Sequence, residues 1–283
     1  MISLYLLRLS AIYEDIYLIV IGILLTVVNV CPLYPHPALL LDGAWNGKRH
    51  KYIAISDLHI GFESAICTKG ITIDSNLLLE EMVSEIFDLV KIYHVDGVAL
   101  LGDLKNTIGS ISKNEWERIP KFLKLLSDSL DVYLVPGNHD GNIRLLIPQN
   151  VHMISNKGMF LNNDTLLIHG HTMPLKVRPI TKRIVMGHIH PIFQKSDSII
   201  RGQRVWLYLK VKREALFLSG KGTLDIIVIP TFNKYLFAER HSIKSVSPLL
   251  NKAIKDNAIE RAMVITLDGS IIEDKIAILG SVI

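Results

Sequence analysis

The stretch "LVPGNHDGNIRLL" at residues 134–146 decides the fold, because an apolar run stops there at a proline-glycine pair. Asn138, His139 and Asp140 follow directly, and helix-compatible residues resume after Gly141. A single polar strand end of this kind is consistent with an ordinary turn. Its meaning therefore depends on whether other strands of the chain end in the same way.

Apolar runs alternate with amphipathic segments on the N-terminal side of this stretch. The patterns predict strands at 51–56, 97–102 and 131–136 and helices at 76–93 and 112–130. Ser112 and Glu115 have the spacing of a capping box at the start of the second helix. The β-α-β-α-β order predicts a parallel or mixed sheet that is covered by helices.

Short strands predominate after residue 150. They are predicted at 165–170, 183–188, 204–211 and 224–230, with a hairpin over 262–279 that turns at Asp268-Gly269. Residues 240–261 are predicted to be helical. The sequence contains no internal repeat, no low-complexity tract and no linker to a second domain. A single domain over residues 35–283 is therefore expected.

Side chains that can bind metals stand at the ends of five of the predicted strands. They are Asp57 and His59 in "SDLH", Asp103 in "GDLK", Asn138, His139 and Asp140 in "GNHD", His169 and His171 in "HGH", and His188 and His190 in "GHIH". Since loops at the carboxyl ends of strands in an open α/β sheet converge on one crevice, these side chains are expected to meet. Asp, His and Asn without cysteine suit Mn²⁺, Fe or Zn²⁺ better than a structural zinc site. There are too many ligands for one ion, and a bridging carboxylate would let them hold two ions about 3.5–4 Å apart.

Taken in this order, "SDLH", "GD", "GNHD", "HGH" and "GHIH" resemble the calcineurin-like metallophosphoesterase superfamily. Within it, "PALLLDG", "KYIAISDLHIGFE", "GDLK" and "GHIHP" are similar to archaeal and bacterial predicted phosphoesterases related to double-strand-break-repair nucleases. The resemblance implies an α/β (α+β) fold, a four-layer α/β/β/α sandwich of two mixed sheets. It also implies a phosphodiesterase or nuclease-like hydrolase that cleaves phosphoester bonds with a metal-activated hydroxide. The implied cofactors are two divalent ions, manganese first, with iron or zinc as alternatives.

The resemblance also assigns a role to each residue at the strand ends. Asp57, His59 and His190 would hold one metal, Asn138, His169 and His188 the other, and Asp103 would bridge them. His139 matches the histidine that contacts the phosphate or protonates the leaving group, and Asp140 would orient it. His171 is not a ligand in most relatives and stays outside the metal set. Asn106 lies three residues after Asp103, where relatives carry various polar residues.

Other interpretations of the function remain open. Phosphomonoesters and nucleotide pyrophosphates are alternative substrates, and a non-catalytic scaffold of the same fold is an alternative class of protein. A structural zinc protein is disfavoured, since closed zinc sites use four ligands that are commonly cysteines. The formal net charge of +4 permits a nucleotide or nucleic-acid partner without requiring one. The sequence leaves the oligomeric state open.

Residues 1–34 lie outside the resemblance and form a hydrophobic extension. The apolar run at 16–28 falls short of the ~20 residues of a membrane span, although residues 16–34 would reach that length. A cleavable signal peptide fits poorly, because two acidic residues precede the run. The segment is either a membrane anchor, an ordinary buried helix, or an artefact of a start codon that lies downstream. The basic residues at 48–51 and the absence of a disulfide framework favour a cytoplasmic catalytic domain, with or without an anchor.

Overall fold

The structure is a computed structural model of the chain. It describes residues 28–45, 48–67, 70, 74–174, 177–218, 220–236, 247–274 and 276–282. In these ranges the strands are β1 (Asn29–Pro32), β2 (Leu39–Trp45), β3 (Lys48–Ile55), β4 (Gly97–Leu100), β5 (Asp131–Leu134), β6 (Val151–Met153), β7 (Met159–Leu161), β8 (Thr165–Leu167), β9 (Arg183–Met186), β10 (Val205–Lys212), β11 (Thr223–Val228), β12 (Ile259–Thr266) and β13 (Ile271–Glu273). The helices are α1 (Phe62–Cys67), α2 (Ser75–Tyr93), α3 (Lys113–Ser127), α4 (Arg213–Leu216) and α5 (Pro248–Lys255), with 3-10 helices at Ile143–Leu146 and Ile276–Ser281.

The strands form two mixed sheets. The first has the order β1-β2-β3-β4-β5-β6, antiparallel from β1 to β3 and parallel from β3 to β6. The second has the order β13-β12-β10-β11-β9-β8-β7. In it β8, β9 and β11 run parallel, and the other neighbours are antiparallel. The mixed sheet predicted from the N-terminal half is confirmed as the first of these two sheets.

Three apolar layers hold the sandwich together. One lies between the first sheet and helices α2 and α3, and another between the second sheet and helices α4 and α5. The middle layer lies between the two sheets, where Leu101, Leu167, Val185 and Trp206 are fully buried. The resulting order of helix, sheet, sheet, helix confirms the α/β/β/α sandwich.

The two long helices begin where the sequence predicts. Asp74 caps α2, because its carboxylate accepts a hydrogen bond from the Asn76 N–H at 2.8 Å. Helix α3 opens with the predicted capping box, in which Ser112 and Glu115 each accept a hydrogen bond from the backbone of the other. Such caps satisfy amide groups that have no partner within the helix.

The C-terminal region departs from the predicted helix over 240–261. Residues 248–255 form α5, but strand β12 begins at Ile259, and residues 240–246 lie outside the described residues. The prediction is wrong over 259–261 because β10 offers a partner strand there, with Val211 opposite Ile259. Tertiary pairing of this kind outweighs local helix preference.

The first sheet begins upstream of the domain boundary expected at residue 35. Strand β1 pairs antiparallel with β2, and Val28 and Leu33 are buried on either side of it. Residues 1–27, which hold most of the apolar run, lie outside the described residues. Within the described ranges, no helix combines the length and the apolar character needed to cross a bilayer.

Trp206→Ala is expected to destabilise the protein by about 3–5 kcal/mol, because it opens a cavity in the middle layer. Urea unfolding followed by circular dichroism measures this change. Trp116→Ala is the matched control, since Trp116 on α3 is 52% exposed, and it should shift the free energy of unfolding by less than about 0.5 kcal/mol. Equal effects of the two substitutions would contradict the burial of Trp206 between the sheets.

Candidate metal centre

Loops from both sheets meet at one edge of the sandwich. The first sheet contributes the residues after β3, β4 and β5, and the second contributes those after β8 and β9. Backbone hydrogen bonds join neighbouring loops, from Asp57 N to the Gly102 carbonyl at 3.1 Å and from Gly187 N to the His169 carbonyl at 3.0 Å. The strand ends that the sequence predicted to converge therefore lie together.

One group of ligand atoms comes from Asp57, His59, Asp103 and His190, and these atoms all lie within 4.8 Å of one another. The His190 Nε2 lies 3.2 Å from Asp57 Oδ1 and 3.4 Å from His59 Nε2. Ligand atoms that share one ion at about 2.0–2.2 Å are separated from each other by about 3.0–3.6 Å. The spacing therefore suits a shared cation.

A second group comprises Asp103, His169 and His188. The His169 Nε2 lies 3.2 Å from Asp103 Oδ2 and 3.2 Å from the Asn138 side-chain oxygen. This places Asn138 beside the second group. Asp103 belongs to both groups, which is the arrangement that a carboxylate bridging two ions requires.

The chemistry of these side chains fits divalent cations. Asp57, His59 and Asp103 are at most 3% exposed, and buried like charges are costly without a counter-charge. The His59 Nδ1 is buried and has no hydrogen-bond partner among the described residues. Imidazoles and carboxylates without thiolates are the ligands of Mn²⁺, Fe and catalytic Zn²⁺.

Hydrogen bonds from outside the cluster aim the ligand atoms inward. The His169 Nδ1 donates to the Leu101 carbonyl at 2.8 Å, which turns Nε2 toward Asp103. The His139 backbone N–H donates to Asp103 Oδ1 at 2.8 Å, which leaves Oδ2 directed toward the histidines. The backbone N–H of His188 donates to the Asp57 carboxylate at 3.0 Å. Partners of this kind fix ring tautomers and orient metal ligands.

Several of the predicted ligands have a left-handed backbone. Their φ values are 60° at Asp57, 45° at His59, 51° at Asp103, 74° at His188 and 44° at His190. A non-glycine residue in this conformation costs of order 1–3 kcal/mol, and such residues cluster at functional sites. The surrounding loops must therefore impose this conformation on the ligands.

Two glycines let the loops approach the ligands closely. A Cβ atom on Gly187 would overlap the Ser56 hydroxyl and lie 2.5 Å from Asp57 Oδ2. A Cβ atom on Gly137 would overlap the Asp103 carboxylate. Larger residues at these positions would push the two aspartates out of place.

Burial and the neighbouring carboxylates shift the pKa values of the histidines in opposite directions. Burial lowers the pKa of His59 to about 3 and that of His188 to about 4. At His169 burial also favours the neutral ring, but the adjacent Asp103 carboxylate outweighs it and raises the pKa to about 9. Without metal, His169 therefore holds a proton at neutral pH, which a bound cation must displace.

His139 and Asp140 lie beside the two groups. The His139 ring is 23% exposed, its Nε2 lies 4.0 Å from Asp103 Oδ2, and its Nδ1 bonds to the Asn106 carbonyl. Asp140 accepts hydrogen bonds from the backbone of Gly137 at 2.7 Å, Leu104 at 3.0 Å and Lys105 at 3.2 Å. Asp140 thus joins the loop that carries His139 to the loop after Asp103. The His139 ring itself donates to the Asn106 carbonyl and has no direct bond to Asp140 among the described contacts.

His171, which the family resemblance leaves outside the metal set, is half-buried near the second group. Its ring centroid lies 5.3 Å from that of His169 and 6.2 Å from that of His188. His171 therefore lies near the histidines of the second group, but its ring nitrogens are not among the ligand atoms of that group.

A segment after β11 that was not predicted from the sequence holds the first ligand loop. Thr231 Oγ1 donates to the Asp57 carbonyl at 2.8 Å, and Asn233 Nδ2 donates to the Leu58 carbonyl at 2.9 Å. Arg204 in turn donates to the Thr231 carbonyl at 2.7 Å. Polar residues just after a buried strand were the signal used elsewhere, and it applies to Thr231 and Asn233 as well.

Gly187→Ala is expected to weaken Mn²⁺ binding by about 10–100-fold, the usual effect of disturbing a residue that supports the ligands. Calorimetric titration of the metal-free protein with Mn²⁺ measures it. Gly109→Ala is the control, because a Cβ there meets no atom within 4 Å. Unchanged affinity in the Gly187 variant would contradict the close packing of this loop against Asp57.

Mn²⁺ affinity is expected to rise by about tenfold per pH unit between about pH 6 and pH 8. The reason is that His169, with a pKa raised to about 9, is protonated below that value and must lose its proton to bind metal. Titrations in buffers of different ionisation enthalpy count the protons released. A pH-independent affinity without proton release would contradict the Asp103–His169 pairing.

The family model for calcineurin-like phosphoesterases matches residues 50–233. The crystal structure of the nuclease MPE of Pseudomonas putida is similar, with 14% identity, a TM-score of 0.47, and coverage of 85% of this chain and 98% of that one. The phosphoesterase Yfce of E. coli has 14% identity, a TM-score of 0.37, and coverage of 79% and 97%. Comparison with curated protein sequences returns no match. The family match spans the strand ends that carry every predicted ligand, and the chain belongs to the calcineurin-like phosphoesterase family.

Proposed function

We propose that this metal-dependent phosphoesterase is a phosphodiesterase that works with two manganese ions. The observation that carries the proposal is the Asp103 carboxylate, which belongs to both groups of ligand atoms. Divalent ions at such a site supply positive charge for phosphate oxygens and lower the pKa of a coordinated water. The family match supports phosphoester hydrolysis as the reaction class.

The distances support the division of the ligands that the family resemblance implies. Asp57, His59 and His190 would hold one ion, Asn138, His169 and His188 the other, and Asp103 both. Burial of Asp57 and Asp103 keeps water away from their negative charge, which bound cations would then balance. The left-handed backbone at the ligands holds them ready before a metal or substrate binds.

His139 is proposed to protonate the leaving oxygen. A carbonyl oxygen only accepts hydrogen bonds, so the contact with Asn106 keeps a proton on His139 Nδ1. The other nitrogen, Nε2, lies 4.0 Å from Asp103 Oδ2 and thus faces the ligand groups. When the ring is charged, Nε2–H can donate to the departing oxygen as a general acid.

A phosphodiester substrate is supported by the resemblance of "GDLK" and "GHIHP" to phosphoesterases related to repair nucleases. A nucleotide or nucleic acid is the corresponding substrate class, with phosphomonoesters as the runner-up. A cytoplasmic location is proposed because Cys31 and Cys67 are exposed free thiols. The alternative of a non-catalytic scaffold is disfavoured by the presence of both complete ligand groups.

Asp103→Asn is expected to lower Mn²⁺-dependent hydrolysis by at least about 1,000-fold, because it removes the shared ligand charge. His139→Ala is expected to lower it by about 100–10,000-fold while the metal content stays normal. The assay compares bis-p-nitrophenyl phosphate, p-nitrophenyl phosphate, cyclic nucleotides and DNA.

His152→Ala on the exposed edge strand β6 is the matched control and should retain full activity. Equal activity of all three variants and the wild-type protein would contradict the site. A clear preference for p-nitrophenyl phosphate over its diester would favour the phosphomonoesterase alternative.

A further inference from the structure

The loop that follows Asp103 is held by two buried charged side chains outside the metal centre. We call residues 105–112 the clamp loop. Lys105 lies within this loop, Glu115 lies in the first turn of α3, and both are 0% exposed. Burying a charge is costly unless hydrogen bonds satisfy it, so the contacts of these two side chains indicate what they hold.

Glu115 makes more hydrogen bonds than a helix cap needs. Its Oε1 accepts from the backbone N–H groups of Asn106 at 2.9 Å and Thr107 at 2.7 Å. Its Oε2 accepts from the Thr107 hydroxyl at 2.6 Å and the Ser112 N–H at 2.7 Å. Burial favours the neutral carboxyl, but these bonds outweigh it and hold the pKa of Glu115 below its usual range. Capping requires only the Ser112 contact, so the other three bonds hold Asn106 and Thr107.

Lys105 fills the inside of the same loop. Its Nζ donates to the carbonyl oxygens of Thr107, Ile108 at 3.2 Å and Ser110 at 3.1 Å. The loop therefore wraps around an ammonium group on one side while its amides bind a carboxylate on the other. Opposite charges satisfied in this way leave the backbone at Asn106 little freedom.

These contacts fix the position of the Asn106 carbonyl group. The Asn106 amide binds Glu115, and the Asn106 carbonyl accepts a hydrogen bond from His139 Nδ1. That bond fixes both the tautomer and the plane of the ring, because a carbonyl can only accept.

We propose that Glu115 is a positioning residue that, with Lys105, holds the Asn106 carbonyl against His139. The contact keeps the proton on Nδ1 and directs Nε2 toward the reacting phosphate. The kinetic consequences of this contact rest on the proposed function. The effect of the contact on the His139 ring does not depend on that function. A purely structural Glu115 would instead affect folding, and would change the hydrolysis of all substrates equally.

Glu115→Gln tests this proposal, because glutamine keeps the shape but one end of the carboxamide can no longer accept. Glu117→Gln is the matched control, since Glu117 lies on the same helix and its side chain is 59% exposed. The substrates are diphenyl phosphate and p-nitrophenyl phenyl phosphate at saturating Mn²⁺. They share one phenyl phosphoryl group, but phenol needs a proton to leave and p-nitrophenol does not.

For Glu115→Gln, kcat with diphenyl phosphate is expected to fall at least about tenfold, and with p-nitrophenyl phenyl phosphate less than about threefold. KM and metal content should stay near the wild-type values, and Glu117→Gln should match the wild-type protein with both esters. An equal loss with both esters would overturn the positioning role.

The His139 ring provides a readout that needs no activity. Nitrogen-15 spectra of the ring at alkaline pH should show the proton on Nδ1 in the wild-type protein and in Glu117→Gln. Glu115→Gln should show a mixture of both tautomers, and an unchanged tautomer would overturn the proposal. If the wild-type protein hydrolyses neither ester, the proposed function fails, and these spectra still decide the positioning role.

A second variant covers the case in which Glu115→Gln does not fold. Thr107→Val keeps the side-chain shape and removes the hydroxyl, which lies 2.6 Å from both Glu115 Oε2 and the Ser110 carbonyl. It is expected to shift the ratio of the two kcat values in the same direction by about two- to fivefold, within the range for one hydrogen bond. Thermal unfolding confirms that the variant is folded, and an unchanged ratio and tautomer in a folded variant would count against the role of Glu115.

Discussion

The arrangement of the site depends on one carboxylate that belongs to both groups of ligand atoms. Asp103 Oδ2 lies 3.2 Å from His169 Nε2 and 3.7 Å from His59 Nε2, so it stands between the two groups of ligands. Its other oxygen is held by the His139 backbone N–H, and Gly137 leaves the room that the carboxylate needs. A small displacement of this side chain would separate the two groups, because ligand atoms tolerate only a few tenths of an ångström.

The protein maintains this geometry against a local energetic preference. Left-handed backbone at Asp57, Asp103 and His188 is unfavourable for each residue taken alone. The segment after β11 compensates by binding the backbone around Asp57, and Asp140 compensates by binding three amides of the neighbouring loops. The free energy gained by burial in the apolar layers thus offsets the cost of the strained loops, a balance that is common in enzymes.

Much of the fold could be predicted because apolar periodicity reports directly on strands and helices. The strands before Asp57, Asp103 and Asn138, and the capping box of α3, lie where the pattern placed them. Strands β6 and β7 were missed, since three residues are too few to show a period. The end of the predicted C-terminal helix was wrong because pairing with β10 overrides local preference. The capping motif predicts one hydrogen bond of Glu115, and the other three, to Asn106 and Thr107, were not predicted.

The sequence by itself determined which side chains stand at the strand ends, because an apolar run followed by a glycine turn and a polar residue is a local pattern. It also determined the chemistry of those side chains, which suits divalent metals and excludes a thiolate site. Only the tertiary structure decided which ligands share a group, since Asp57 and Asp103 come from the first sheet and His188 and His190 from the second. The packing of two sheets through buried residues such as Leu101 and Trp206 brings these ends together. Contacts between residues so distant in the chain cannot be predicted from the periodicity or the spacing of residues.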